Sequence, residues 1–282
     1  MDFSRAYEQA KKGVILIARI IGVDGLPAGI DKSLVLSTTA TLKDGRKAKI
    51  HFYPAGTGFI LENERHERFG ITNRHVVEPI KQDQFLIIYD DGKSEFISMK
   101  NLNYPEGDRK KLPNDMASFP IKRRKRDDNV VALEVNASND IKVGTECFSI
   151  GFPISRDKTG IHAHISSVLE KQRIYRVDGQ LNPGNSGAPL LDKDGRVIGI
   201  VTLRSRKLSN IDIIKYLADK EIKDRDGSSA DPREEDAGSM MERLDDISML
   251  YTGMQAISRD LLFNLNLGFG FAINIDQVGR IM

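Results

Sequence analysis

The stretch 180–203, QLNPGNSGAPLLDKDGRVIGIVTL, decides how the rest of the chain is interpreted. Pro183, Gly184 and Gly187 stand close around Ser186. Glycine and proline occur where the backbone must adopt unusual angles. The residues that follow the serine are apolar and indicate a β-hairpin. Ser186 is therefore either an ordinary turn residue or a nucleophile presented by the turn, and the other residues of the chain must decide.

Composition and charge exclude several classes of protein. The chain has 282 residues and a net charge of +2, so no strong overall field favours nucleic acid or a membrane surface as a partner. Cys147 is the only cysteine, which excludes an internal disulfide and favours a reducing compartment. The apolar run 14–23 is too short to cross a bilayer. Arg19 interrupts this run, so it also lacks the continuous apolar core of a signal peptide. We expect a cytoplasmic protein that does not contact a membrane.

Short runs of β-branched and aromatic residues follow one another from residue 14 to about residue 203. Examples are RKAKIHFY and GTGFIL, which we interpret as successive strands, and Asp44-Gly45 is a hairpin signal. Residues 3–12 indicate a short amphipathic helix. The pattern predicts an all-β chain with two six-stranded antiparallel barrels, one over about 13–120 and one over about 128–204 and 267–278.

The pattern changes between residues 205 and 266. This segment combines helix-like periods with a polar run that contains glycine, serine and proline. We expect a helical and mobile insertion between two strands of the second barrel.

His75, Asp115 and Ser186 together suggest nucleophilic catalysis. A serine that attacks a carbonyl needs a base, a carboxylate that orients the base, and amide groups that hold the oxyanion. Asp115 opens an apolar strand and His75 follows one, so both are expected at strand ends. The amides of Gly184 and Ser186 are candidates for the oxyanion site, since Gly184 permits a positive φ.

The order of these residues excludes two other hydrolase scaffolds. An α/β-hydrolase requires Ser, Asp, His in that order, but His164, the last histidine, precedes Ser186. A subtilisin-like chain requires a helix that begins at the serine, where this sequence predicts a hairpin.

Six motifs carry a resemblance to a known family: GTGFI, TNRHVV, DMASF, SIGFP, NPGNSGAPLLDKDGRVIGI and GFGFAIN. In this order they resemble the trypsin-like, chymotrypsin-fold serine proteases, and most of all the HtrA/Deg-type bacterial protease domains. The resemblance covers about residues 10–204 and 267–276. It implies a single trypsin-like protease domain over 1–282, with the active site between two barrels and no cofactor.

The resemblance also implies roles for individual residues. His75 would be the general base, Asp115 its orienting carboxylate and Ser186 the nucleophile, with Gly184, Asn185 and Ser186 in the oxyanion turn. The expected substrate-binding residues are Gln180, Thr202, Leu203, Gly268, Phe269 and Gly270. Because Gln180 is neutral, we expect a preference for small or medium uncharged residues before the cut.

The chain departs from the family pattern at three points. Ala188 replaces the second glycine after the nucleophile, no PDZ-type module is expected after GFAINI, and the 205–266 insertion borders the expected specificity pocket. The insertion is either a plain surface loop or a regulatory segment that binds an activating protein partner.

The other polar features of the sequence are interpreted as structural or solvated groups. Cys147 is expected to be a small buried apolar residue. His162 and His164 share one strand face but lack a third ligand nearby, so no metal site is expected. The basic run 122–126 is expected to be a solvated loop, and a nucleic-acid partner is not expected.

Three functions remain open at this point. The first is a serine endopeptidase that cleaves protein or peptide substrates through an acyl-enzyme. The second is a catalytically silent or latent trypsin-like fold that binds proteins. The third is an effector-type protease with one dedicated target.

Overall fold

The structure is a computed structural model that describes residues 3–30, 32, 35–108, 111–122, 130–136, 141–153, 157–202 and 269–282. These residues belong to one unit, formed by Met1–Leu203 and Gly268–Met282. The predicted insertion falls in a second unit, Arg204–Leu267, which lies outside the described residues. The predicted domain boundaries stay predictions.

Thirteen strands, two short α-helices and several 3-10 helices, of which Ile275–Arg280 closes the chain, form the described part. The α-helices are α1 (Phe3–Ala10) and α2 (Arg74–Val77). The strands of the first half are β1 (Val14–Val23), β2 (Leu36–Thr41), β3 (Lys47–Glu62), β4 (Arg68–Thr72), β5 (Gln84–Ile88), β6 (Ser94–Ser98) and β7 (Ala117–Pro120). The strands of the second half are β8 (Glu146–Gly151), β9 (Thr159–Leu169), β10 (Ile174–Asp178), β11 (Pro189–Asp192), β12 (Val197–Thr202) and β13 (Phe269–Asn274).

The second half of the chain closes into a six-stranded antiparallel barrel. Its strand order is β10-β13-β12-β11-β8-β9, and the return of β13 beside β12 completes the ring. Apolar residues that include Val177, Leu190 and Val201 fill its interior. The predicted second barrel is confirmed.

The first half forms a curled seven-stranded sheet instead of the predicted six-stranded closed barrel. Its order is β6-β5-β1-β3-β4-β7, and β2 adds a seventh strand that pairs with β3. Beyond β6, Asn103 forms an isolated bridge with Ser118 of β7, so in the described residues the sheet curls towards closure without a continuous ladder. The prediction of a mostly β, chymotrypsin-like fold with a short N-terminal helix is confirmed.

The long strand β3 explains the curl. The sequence predicts separate strands for RKAKIHFY and GTGFIL, but the structure joins them through Pro54. The register against β1 shifts between Ile17 and Ala18, where Gly56 and Pro54 are the partners and Ala55 is extra. Such a bulge bends a strand and tolerates a proline that lacks an amide proton.

Helix α1 packs on the closed barrel although the strand that follows it belongs to the other sheet. Ala6 and Ala10 lie in one core cluster with Phe148 and Ile273. The rings of Phe3 and Phe148 pack edge to face, with their centroids 5.0 Å apart. The N-terminal segment therefore spans both halves of the fold.

Among the described residues, the structure has no helix of the length and apolar character that a bilayer crossing requires.

Candidate active site

His75 and Asp115 are joined by two hydrogen bonds. Strand β4 ends at Thr72, and α2 begins two residues later, which places His75 in the first turn of that helix. The His75 amide donates to Asp115 Oδ1 at 3.0 Å, and His75 Nδ1 lies 2.7 Å from Asp115 Oδ2. Because a carboxylate only accepts, the Nδ1 proton belongs to the imidazole and Nε2 of the neutral ring is the basic nitrogen.

Two further groups hold Asp115, which is only 4% exposed. The Thr202 hydroxyl donates to Asp115 Oδ2 at 2.8 Å. The Asn73 side-chain amide donates to the Asp115 carbonyl at 2.8 Å. Asp115 is therefore held from both halves of the fold, its carboxylate by Thr202 at the end of β12 and its backbone by Asn73, which precedes α2.

The segment 182–188 forms a tight turn. Gly184 and Gly187 have φ values of +101° and +85°, which favour glycine. The Asn185 amide donates to the Asn182 carbonyl at 3.0 Å, and the Gly187 amide donates to the Val201 carbonyl at 2.8 Å. Gly184 and Gly187 are thus required by their backbone angles, and Gly187 also by its close approach to Thr57 and Thr72.

Two amides of this turn stay available for a ligand. Among the hydrogen bonds of the described residues, neither the Gly184 amide nor the Ser186 amide has an acceptor. The Asn185 amide is used inside the turn. Of the three residues predicted for the oxyanion site, Gly184 and Ser186 thus have amides without an acceptor among these bonds, and their role as oxyanion donors stays a prediction.

Ser186 lies beside the His75 helix across Gly56. A side-chain carbon at Gly56 would lie 2.8 Å from Val76 of α2 and 3.1 Å from the Ser186 carbonyl. Ser186 is 7% exposed. The described residues make no hydrogen bond between Ser186 Oγ and His75. The structure thus links Asp115 and His75 directly, and it places the Ser186 backbone close to the same glycine, Gly56, as the side chain that follows His75.

Two of the residues near the expected specificity pocket lie in contact. Leu181 is buried and packs against Gly270 of β13, where any side chain would require Leu181 to shift. Gln180 is exposed. Phe269 begins β13, whereas Leu203 and Gly268, also predicted to bind substrate, lie outside the described residues.

Thr57, Asn73 and Leu181 were not predicted from the sequence as site residues. Each lies within or next to a predicted motif: GTGFI, TNRHVV and QLNPGNSG. Nothing local in these motifs indicates that the three side chains would face the site.

The other candidate groups have structural partners. His162 Nε2 lies 2.8 Å from Glu146 Oε1, and His164 Nδ1 lies 3.6 Å from Asp178 Oδ1. The part of the chain that the structure describes contains no group of three or more His, Cys, Asp or Glu residues that could hold a metal ion. Burial raises the pKa of the Cys147 thiol to about 12, which makes it a poor nucleophile.

The predicted basic run is described only at its start. The Lys122 amide donates to Glu95 Oε1 at 3.4 Å. Residues 123–126 lie outside the described residues, so the predicted solvated loop stays a prediction.

A closed β-barrel and a curled sheet, with an imidazole–carboxylate pair beside a glycine-turn serine, define the chymotrypsin-like class of proteins. Comparison with known families agrees with this class. The profile of the trypsin-like peptidase domain matches residues 56–200, and the chain belongs to that family.

Individual relatives belong to the HtrA/Deg group. The chain is 33% identical over 173 residues to protease Do-like 5, chloroplastic, of Arabidopsis thaliana. This match covers 57% of this chain and 51% of the relative. It is 26% identical over 210 residues to the serine protease Do-like HtrA of Bacillus subtilis, and that match covers 69% of this chain and 41% of the relative. The probable periplasmic serine endoprotease DegP-like of Halomonas elongata is 34% identical over 155 residues, with 51% and 28% covered. The chain thus spans about half the length of the plant relative and less of the other two.

The fold is also similar to that of a solved HtrA-type protease, AlgW with a decapeptide. The TM-score is 0.55 at 19% identity, and the match covers 98% of this chain and 65% of the other. The predicted resemblance to trypsin-like proteases of the HtrA/Deg type is confirmed. The names of two relatives place those proteins in the chloroplast and the periplasm, and the cytoplasmic location expected for this chain stays a prediction.

Proposed function

We propose that this chain is a serine endopeptidase that uses His75, Asp115 and Ser186. The observation that carries the proposal is the pair of hydrogen bonds from His75 to Asp115, at 3.0 and 2.7 Å. This pairing fixes the ring and directs the basic Nε2 away from the carboxylate. A neutral imidazole held in this way is the general base that a serine nucleophile requires.

The proposed reaction follows from these groups. His75 Nε2 takes the proton of Ser186 Oγ while Oγ forms a bond to the substrate carbonyl carbon. The carbonyl oxygen becomes negative and accepts hydrogen bonds from the Gly184 and Ser186 amides. The tetrahedral intermediate collapses, the peptide C–N bond breaks, and His75 gives the proton to the leaving amine. A water molecule then hydrolyses the acyl-enzyme by the same steps.

The substrate class follows from the pocket and from the relatives. The neutral side chain of Gln180, the residue predicted at the base of the pocket, supports a preference for small or medium uncharged residues before the cut. A structural neighbour is an HtrA-type protease in complex with a decapeptide, which supports a peptide or protein substrate. The predicted activating partner would bind the 205–266 insertion. That segment lies outside the described residues, and the partner stays a proposal.

A latent resting state is the second candidate. The observation that favours it is the lack, among the described residues, of a hydrogen bond between Ser186 Oγ and His75. In serine hydrolases this bond often tightens only when substrate is bound. A catalytically silent protein-binding module would share the same fold, and the experiment below separates it from a protease.

The test is covalent labelling by a fluorophosphonate together with cleavage of unfolded casein. We expect the wild type to be labelled and to cleave casein, and Ser186→Ala to do neither. Ser149→Ala is the matched control, because it removes another buried hydroxyl of the same barrel and should retain both activities. If the wild type is neither labelled nor active, with casein or with added partner proteins, the endopeptidase proposal is wrong.

A further inference from the structure

Thr57 makes four hydrogen bonds around the serine turn although it lies in the other half of the fold. It belongs to β3 and is fully buried. Its amide donates to the Ser186 carbonyl at 2.9 Å, and its carbonyl accepts from the Thr72 hydroxyl at 2.6 Å. Its own hydroxyl makes the remaining two bonds.

The direction of the Thr57 hydroxyl is determined by its partners. The Phe152 amide lies 3.0 Å from Thr57 Oγ1, and the Gly184 carbonyl lies 2.7 Å from it. An amide N–H only donates and a carbonyl only accepts. Thr57 Oγ1 therefore accepts from Phe152 and gives its proton to the Gly184 carbonyl.

These bonds fix two peptide groups of the turn. The bond to the Gly184 carbonyl holds the peptide group between Gly184 and Asn185. The bond from the Thr57 amide to the Ser186 carbonyl holds the one between Ser186 and Gly187. The peptide group between them carries the Ser186 amide, one of the two proposed oxyanion donors. The Asn185 carbonyl of this middle group accepts from the Ala188 amide at 2.9 Å, so the direction of the Ser186 N–H is set by that bond together with the two bonds from Thr57.

Gly184 makes such a restraint necessary. Its φ of +101° lies in a region that only glycine adopts easily, and glycine has a wide choice of neighbouring conformations. The turn holds Asn185 through its own backbone bonds with Asn182 and Ala188. The Gly184 carbonyl, in contrast, receives its hydrogen bond from outside the turn, from the buried Thr57 hydroxyl.

We propose that the Thr57 hydroxyl is a positioning residue for the oxyanion site, since it holds the Gly184 carbonyl and thereby orients the Ser186 amide. This inference rests on the proposed endopeptidase function. Thr57 does not contact substrate in this proposal. Its loss should therefore weaken binding of the transition state and leave binding of the substrate almost unchanged.

The experiment compares Thr57→Val with Thr57→Ser and Ser118→Ala in the full chain. The valine variant keeps the shape and removes the hydroxyl, and the serine variant restores it. Ser118→Ala is the matched control, because Ser118 is equally buried and its hydroxyl also donates to a backbone carbonyl, that of Ile281. Kinetics are measured on a fluorogenic peptide that the wild type cleaves, and affinity on a peptidyl boronic acid that mimics the tetrahedral intermediate.

For Thr57→Val we expect kcat to fall by about 10- to 100-fold while KM changes by less than about twofold. The affinity for the boronic acid should fall by the same factor as kcat. Thr57→Ser should lie within about threefold of the wild type, and Ser118→Ala should keep both values. If Thr57→Val does not fold, Thr57→Ala, which introduces no new bulk, is expected to show the same loss.

Three results would overturn the inference: a hydroxyl-free variant with wild-type kcat and boronate affinity, a Thr57→Ser variant as impaired as the valine variant, or an equal loss in Ser118→Ala. A failure of the endopeptidase proposal looks different, because the wild type itself would then be neither labelled nor active.

Discussion

The Thr202 hydroxyl donates a hydrogen bond to Asp115 Oδ2 at 2.8 Å, across 87 positions of the chain. Thr202 is the last residue of β12, and the preceding residue, Val201, accepts the Gly187 amide. One strand end therefore holds both the carboxylate that orients His75 and the turn that carries Ser186. The same short segment of backbone therefore holds the position of Asp115 relative to the serine turn.

This relationship leads to a prediction for Thr202→Val. The substitution leaves Asp115 without one of its donors in a buried site, so the imidazole is held less firmly. We expect kcat/KM on a fluorogenic peptide to fall about tenfold. Thr202→Ser keeps the hydroxyl and should stay near the wild type. Equal kinetics for the valine variant and the wild type would contradict the role of this bond.

A second prediction concerns the space around Gly187. A side-chain carbon there would lie 2.1 Å from the Thr57 carbonyl and 2.3 Å from the Thr72 hydroxyl, at a φ of +85°. We expect Gly187→Ala to lower the free energy of unfolding by about 3 kcal/mol or more and to abolish labelling of Ser186.

The matched control for Gly187 is Gly29→Ala. Gly29 has a φ of +79°, and a side-chain carbon there would meet nothing within 4 Å. Its substitution tests the backbone strain without the clash and should cost about 1 kcal/mol with labelling intact. Chemical denaturation measures both variants, and equal losses would show that the close approach of Gly187 to Thr57 is unimportant.

A third prediction concerns substrate choice. Leu181 is buried against Gly270 of β13. Removing its branched end should deepen the proposed pocket, so Leu181→Ala is expected to accept large residues such as Phe before the cut. A peptide library cleaved by each variant measures this. Gln180→Ala is the comparison: if it, and not Leu181→Ala, changes the preference, the residue predicted from the sequence forms the base of the pocket.

A fourth prediction concerns the stability of the barrel at alkaline pH. Burial raises the pKa of Cys147 from an ordinary value of 9.0 to about 12. Between these values the unfolded chain loses the thiol proton while the folded chain keeps it. The contribution of Cys147 to the free energy of unfolding is therefore lost as pH rises through this window, by up to about 1.4 kcal/mol per pH unit.

Urea denaturation of the wild type and Cys147→Ala measures this effect. Burial also raises the pKa values of Tyr7 and Tyr175, but both tyrosines are common to the two variants and their effects cancel. We expect the stability difference between wild type and variant to decrease as pH rises above the ordinary thiol pKa. A difference that stays constant would show that the thiol ionises freely in the folded state.

Much of the fold follows from local sequence. Gly45 and Gly92 have φ values of +85° and +77° in the turns that the Asp-Gly pairs predict. The continuous strand through Pro54 could not be predicted, because the bulge that accommodates it depends on the register with β1. The partial closure of the first sheet also depends on distant pairing, through Asn103 and Ser118.

The residues of the candidate site also differ in how far local sequence indicates them. The chain order and the glycine turn indicate His75, Asp115 and Ser186 as candidates because the chemistry requires those residue types, and the structure joins the first two directly. Thr57 was missed because its hydroxyl reaches the Gly184 carbonyl 127 positions later. A threonine between two glycines carries no local sign of that contact. Side chains that act through others are thus the hardest to find in a single sequence.

The docking of α1 has a consequence for biosynthesis. Ala6 and Ala10 are translated long before Phe148 and Ile273, which belong to the same core cluster. The apolar face of α1 therefore stays without these partners until β13 has been translated. A nascent chain truncated before β13 should expose this apolar face.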